Sequence, residues 1–257
     1  MSTTDLPEAT DPDAARAPVV SIVVPVYKEG PAVAPILTAL DAAVGAPHEI
    51  LVVYDFDEDP TVPVIASLAR QHPTIRGHRN DLGRGVLNAL KAGLAASSGR
   101  YVVITMADGS DEPERIDEMV RLADLGADVV AASRYMPGGR QIGGPRLKRL
   151  LSRVAGLSLH HVGGVATHDP TNNFKLYSRR FLDVVSIESS AGFELGLELT
   201  VKASIGGRRL AEIPTTWRDR TSGSSNFKLR QWLPHYLRWY LVAMRHRRFR
   251  RDTSEQS

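Results

Sequence analysis

The chain has 257 residues, 32 Lys+Arg against 29 Asp+Glu for a formal net charge of +3, 42% hydrophobic residues and no cysteine. That length suits one α/β domain with a C-terminal extension, and the lack of cysteine excludes disulfides and thiol catalysis. No apolar run approaches the ~20 residues of a membrane span, and the positive charge gathers in the C-terminal tail, which makes nucleic-acid binding by the whole chain a poor inference. The first eighteen residues, rich in Asp, Ala, Pro and Thr and without apolar period, are expected to form a disordered tail. They lack the basic start and apolar core of a signal peptide, and the absence of cysteine fits a cytoplasmic site.

From Val19 a buried strand runs to a polar loop at Tyr27–Glu29, and an Ala/Leu-rich helix follows from Pro31 to Gly45. The pattern repeats. His48 to Tyr54 is an apolar strand that ends in Asp55-Phe56-Asp57-Glu58-Asp59, and a helical run covers Thr61 to Arg70. A third strand from Tyr101 enters the acidic turn Asp108-Gly-Ser-Asp111-Glu112-Pro113-Glu114. Strands alternating with helices imply a mostly parallel sheet with right-handed crossovers, which aligns these polar strand ends along the edge where open α/β sheets bind ligands. Carboxylates there suit a metal-bound diphosphate. Capping of the helix that starts near Pro113 accounts for Asp108 and Asp111 equally well.

Gly83-Arg84-Gly85 is not a dinucleotide fingerprint, because Asn88 stands where the third glycine would fall. Further on come a strand from Ala127 to Ser133, a basic helix from Pro145 through Arg153, and a polar turn from Thr167 to Asn173 before the apolar Phe174–Tyr177. His160, His161 and His168 have the spacing of no usual metal-ligand set. The last segment, 228–251, reads as an amphipathic basic helix. Leu229, Leu233, Tyr236, Leu237, Tyr240 and Met244 share one face, Trp232 and Trp239 flank it, arginines lie opposite, and Pro234 marks a start or kink. Its Trp, Tyr and Arg content favours an interfacial helix against anionic lipid over a packing helix.

Val24-Pro25-Val-Tyr27-Lys-Glu29, Val53-Tyr-Asp55, Asn80 to Gly85, Ala107-Asp108, Ser133-Arg134-Tyr135, Asp169 to Lys175, Glu212-Ile-Pro214 and Asp219 to Phe227 together resemble glycosyltransferases of family 2, with the GT-A fold. Within that family the chain is most similar to the polyprenyl-phosphate sugar synthases. The resemblance implies a GT-A domain over 19–227, with a donor half at 19–112 and an acceptor half at 113–227. It implies inverting transfer of a sugar from a UDP- or GDP-linked donor to a polyprenyl phosphate, with Mg²⁺ or Mn²⁺ as cofactor. It assigns Pro25, Tyr27, Glu29 and Asp55 to the nucleoside pocket, and chemistry agrees for two of them: Tyr27 offers an aromatic wall and Asp55 an acceptor for a ring N–H. Arg84 and Ser225 are expected at the donor, and Arg134, Lys148 and Ser152 at the acceptor phosphate. Asp108 is the expected metal ligand, with Asp108, Asp169 and Arg220 in catalytic roles. Lys148 is a point charge and cannot make a guanidinium's bidentate grip.

Two departures from the family matter. Tyr54 and Met106 stand where many members carry the first Asp of a pair and of a triplet, so metal affinity rests on Asp108 with Asp111 as a helper. Thr171-Asn172-Asn173 replaces Thr-Ser-Gly at the acceptor turn. A family 2 enzyme with a saccharide or other hydroxyl acceptor is the alternative, and a nucleotide-sugar-binding protein without turnover is an alternative of another class. The expected location is the cytoplasmic face of the membrane, bound peripherally.

Overall fold

The computed structural model describes residues 17–219 and 229–254, and within its helices not the side chains of Lys148, 229–232 and 248–254. Arg220 and Ser225 lie outside the described residues. Nine strands are described: β1 (Val20–Pro25), β2 (His48–Tyr54), β3 (Ile75–Arg79), β4 (Tyr101–Ile104), β5 (Val129–Ser133), β6 (Arg140–Ile142), β7 (Lys175–Ser178), β8 (Leu210–Pro214) and β9 (Thr216–Arg218). Seven of them form one sheet in the order β3-β2-β1-β4-β7-β5-β8. All its pairings are parallel except those of β7, which lies antiparallel between β4 and β5. β6 and β9 form a separate parallel pair.

The central strands are buried on both faces, which is why β1, β2 and β4 read as unbroken apolar runs. Helices α1 (Val33–Ala43), α2 (Val62–Leu68) and α4 (Ile116–Asp124) close one face through Leu37, Ile65 and Met119. Helix α3 (Val86–Ala96), the short α6 (Arg179–Leu182) and α7 (Leu195–Ile205) close the other through Leu90, Phe181 and Leu199. Gly93 is what lets α3 sit on β1, since a Cβ there would fall 2.4 Å from the Val23 side chain.

A third apolar cluster joins α5 (Arg146–His161), α7 and the C-terminal α8 (Leu229–Ser254) through Leu159, Val201, Trp239 and Ala243. The C-terminal helix is therefore double-sided. Trp239 and Ala243 are buried, whereas Leu233, Leu237 and Leu241 are exposed. Pro234 lies inside the helix, in its second turn, and does not start it. Among the described residues no helix is long and apolar enough to cross a membrane.

Candidate active site

β1 pairs with β2 on one side and β4 on the other, and the chain crosses over between them, so a crevice opens beyond their carboxyl ends. A cleft of about 870 Å³ occupies that place and extends to α5 and α8. It brings together Pro25, Tyr27, Glu29, Asp55, Arg84, Asp108, Arg134 and Ser152. Asp169 sits just behind, wholly buried.

At the nucleoside end Tyr27 is half exposed and meets Phe56 edge to face at 6.0 Å. Arg84 lies over the Phe56 ring at 4.6 Å. Sequence reasoning misses Phe56, although it follows Asp55 directly at the end of β2. Asp55 also serves the architecture of the cleft, because Oδ1 accepts from Asn80 Nδ2 at 2.8 Å and Oδ2 from the Gly85 N–H at 2.9 Å. It therefore pins the loop that carries Arg84 to the strand end.

In the acidic turn Asp108 Oδ1 accepts from the Ser110 N–H at 3.0 Å and from its hydroxyl at 2.5 Å. Asp111 does not cap the following helical turn, whose N-cap residue is Glu112. It turns inward and accepts from the Thr105 hydroxyl at 2.8 Å. Burial pushes its carboxyl up to about 6, the Thr105 hydrogen bond opposing and the charge of Asp108 adding to that rise. Two carboxylates close enough to repel each other, at the mouth of a cleft, form a hard oxygen set that a divalent cation would relieve. Met106 lines the same cleft and brings only a soft sulfur. The residues fit Mg²⁺ or Mn²⁺ if a bound diphosphate and water complete the coordination.

At the other end Arg134 leaves β5 and grips Asp169 with two hydrogen bonds, Nε to Oδ2 at 2.6 Å and Nη2 to Oδ1 at 2.8 Å. The Arg134 N–H adds a third at 3.1 Å, and the Thr171 hydroxyl donates to Oδ1 at 3.1 Å. Burial alone would raise the Asp169 carboxyl, but the charge and hydrogen bonds of Arg134 outweigh it and hold the group below the usual carboxylate range. Arg134 Nη2 also reaches Ser152 Oγ at 3.3 Å. Gly156 makes this possible, because a Cβ there would fall 2.3 Å from the His168 carbonyl oxygen, so only glycine lets α5 lie this close to the Asp169 turn. Arg149, on the basic helix read from the sequence but not among the expected site residues, lines the cleft with Ser152 and Ala155. The signal for it is its position three residues before Ser152, one helical turn away on the same face.

Lys175 is wholly buried beneath this turn, its ammonium donating to the carbonyls of Pro170 and Asn172. Burial pushes it down to about 7, against the pull of the Asp169 charge. An unfolded lysine titrates near ~10.4, so between about pH 7 and 9 the unfolded chain holds a proton that the native one releases. Stability is expected to rise with pH across that window, and Lys175→Met is expected to flatten the rise. Denaturant unfolding at several pH values would check it.

A model of the family described as Glycosyl transferase family 2 matches residues 21–185. The chain is 30% identical over 229 residues to a polyprenol monophosphomannose synthase of Mycolicibacterium smegmatis, covering 82% of this chain and 85% of that protein. It is 29% identical over 235 residues to an undecaprenyl-phosphate mannosyltransferase of Micrococcus luteus, covering 86% and 93%. Among solved structures, the Mycobacterium tuberculosis glucosyl-3-phosphoglycerate synthase with Mn²⁺, UDP-glucose and phosphoglyceric acid superimposes with a TM-score of 0.62 at 19% identity, covering 90% of this chain and 79% of that one. That likeness speaks for the fold alone.

Proposed function

Because the chain belongs to glycosyl transferase family 2, and is thus a glycosyltransferase, we propose that it transfers a sugar from a nucleotide diphosphate to a polyprenyl phosphate with inversion at the anomeric carbon. The observation that carries this reading is the far end of the cleft. Arg134 is locked by Asp169 beside Ser152 and Arg149, a cationic and hydroxylic cradle shaped for a phosphate. Asp169, the carboxylate paired with Arg134, is poorly placed as a base, since both its oxygens are already engaged.

A phosphate acceptor needs no base. A phosphate monoester has a second pKa near ~6, so around neutral pH it already carries a nucleophilic oxygen. That oxygen attacks the anomeric carbon, a new C–O bond forms, the bond to the donor diphosphate breaks, and the nucleoside diphosphate leaves with the electron pair. Tyr27, Phe56 and Asp55 would seat the base, and Arg84 and Asp108 would face the diphosphate. Asp108, with Asp111 beside it, would hold a divalent cation that neutralises charge on the departing diphosphate. The names of the relatives make a mannosyl donor the first to try. Incubation of the protein with GDP- and UDP-sugars and a short polyprenyl phosphate, followed by mass spectrometry of the lipid extract, tests the reading. Product only with hydroxyl acceptors would replace it with the alternative.

A lipid acceptor calls for approach to a membrane. Leu147, Leu150 and Val154 on α5 are exposed along with Leu233, Leu237 and Leu241 on α8, and both helices border the cleft. This two-helix apolar surface, flanked by arginines, suits peripheral attachment to anionic lipid. Truncating α8 would also remove Trp239 from the core, so Leu233→Ser/Leu237→Ser/Leu241→Ser is the cleaner probe. Each leucine lost from the lipid interface weakens partition by roughly 1 kcal/mol or more. Flotation on anionic vesicles is therefore expected to drop at least about tenfold. Unchanged flotation would leave α8 a packing element.

A further inference from the structure

The fold gathers three histidines that are scattered in the sequence. His160 and His161 end α5, and His168 stands in the turn that leads into Asp169. One ring nitrogen from each lies within 4.8 Å of the others. We propose that they form a site for a divalent transition ion of the Zn²⁺ type, separate from the hard-cation site at Asp108.

The hydrogen bonds around the rings point to this. His168 Nδ1 lies 2.7 Å from Glu212 Oε2, and His160 Nδ1 lies 2.9 Å from the Val165 carbonyl oxygen. A carboxylate and a carbonyl can only accept, so both Nδ1 atoms carry the hydrogen, and in the neutral rings Nε2 presents the lone pair. This is the outer-shell arrangement that orients metal-binding histidines. Glu212 is itself fixed, its Oε1 accepting from the Thr167 hydroxyl at 2.7 Å and the His168 N–H at 2.6 Å.

The spacing agrees. With Zn–N bonds of ~2.0–2.1 Å in a tetrahedral site, three imidazole centroids stand on the order of 5 Å apart. Here the separations are 3.8, 4.8 and 6.0 Å. His160 and His168 are stacked at 28°, so coordination requires them to splay until their lone pairs converge. His161 is exposed, which leaves water able to take the fourth position. Imidazole donors select Zn²⁺ and its neighbours over Mg²⁺. None of the three histidines lines the substrate cleft. An ion here would instead tie the end of α5 to the turn that holds Asp169, and through Glu212 to β8.

The test uses the full-length protein and Zn²⁺ alone, titrated against a competing chelator, with Co²⁺ spectra as a second readout. The expected result is one equivalent bound at micromolar affinity or tighter, with a four-coordinate Co²⁺ spectrum. Asp108→Asn should retain both, and His160→Gln/His161→Gln should lose at least about 100-fold in affinity together with that spectrum. Glu212→Gln should weaken binding by about 10–100-fold through the ring it orients. Wild-type binding no tighter than millimolar, equal affinity in the double histidine variant, or a purely six-coordinate Co²⁺ spectrum would each overturn the proposal. Circular dichroism of the double variant confirms that any loss is local, and His161→Gln alone, at an exposed position, supplies the same comparison if the pair misfolds.

Discussion

Asp108→Asn is expected to reduce kcat/KM by on the order of 10³-fold or more, with Asp111→Asn costing much less. A divalent cation stabilises charge developing on a diphosphate leaving group by several kcal/mol, and each ~1.4 kcal/mol is a factor of ten in rate. With Met106 in place of a carboxylate, Asp108 carries most of the protein's share of that ion. Its Oδ1 is held by Ser110, which fixes the direction in which the carboxylate faces the cleft. Asp111 is anchored to Thr105 and contributes mainly through charge. The measurement is steady-state kinetics of both variants across a Mg²⁺ and Mn²⁺ series. Near-wild-type turnover of Asp108→Asn at saturating metal would sink the assignment. Met106→Asp supplies the converse: metal affinity should tighten if the new carboxylate reaches the ion, and an unchanged titration would show that it does not.

How much is legible in the sequence follows burial. β1, β2 and β4 are buried on both faces, so they stand out as apolar runs, and the polar residues just beyond them mark the crevice. β3 leaves no such mark because only Ile75 of its five residues is buried and the rest of Ile75–Arg79 is polar or glycine at the sheet edge. α7 escapes notice for the opposite reason. Most of its residues are buried, including Glu198, whose carboxylate accepts from Ser189, so no polar face sets up a helical period. In α8 the arginine pattern reveals a helix but not which apolar residues face inward, since that depends on where α5 and α7 lie. The histidine group shows the same limit. Local spacing finds ligand sets carried on one hairpin or helix, whereas His168 reaches His160 and His161 only because Gly156 lets the turn dock on α5.

The acceptor end yields the second large effect. Arg134→Ala is expected to lower kcat/KM for a short polyprenyl phosphate by about 10²-fold or more, consistent with losing a charge-assisted hydrogen bond to the phosphate, while donor affinity stays unchanged. It also strands Asp169, buried and unpaired, at a cost of roughly 3–5 kcal/mol. The sign of the pH response then reverses. In the wild type, Arg134 holds Asp169 below the usual carboxylate range, so its stabilisation is complete above the unfolded value of ~3.9 and is lost as pH falls through the lowered native one. Without the Arg134 side chain, burial is opposed only by the residue 134 N–H, the Thr171 hydroxyl and the Lys175 charge, so the carboxyl rises, and stability should improve as pH drops from about 7 towards 5 and Asp169 takes up a proton. Arg134→Lys keeps the charge without the fork and gives a folded comparison, in which KM for the lipid phosphate should rise more than kcat falls. Asp169→Asn preserves shape but loosens Arg134, so it should cost less than Arg134→Ala and leave the pH–rate profile unchanged. A base at Asp169 would instead give a loss of about 10²–10⁴-fold in kcat and erase an ionisation from that profile. That outcome, with Arg134→Ala showing normal acceptor kinetics, would move the chemistry to a hydroxyl acceptor.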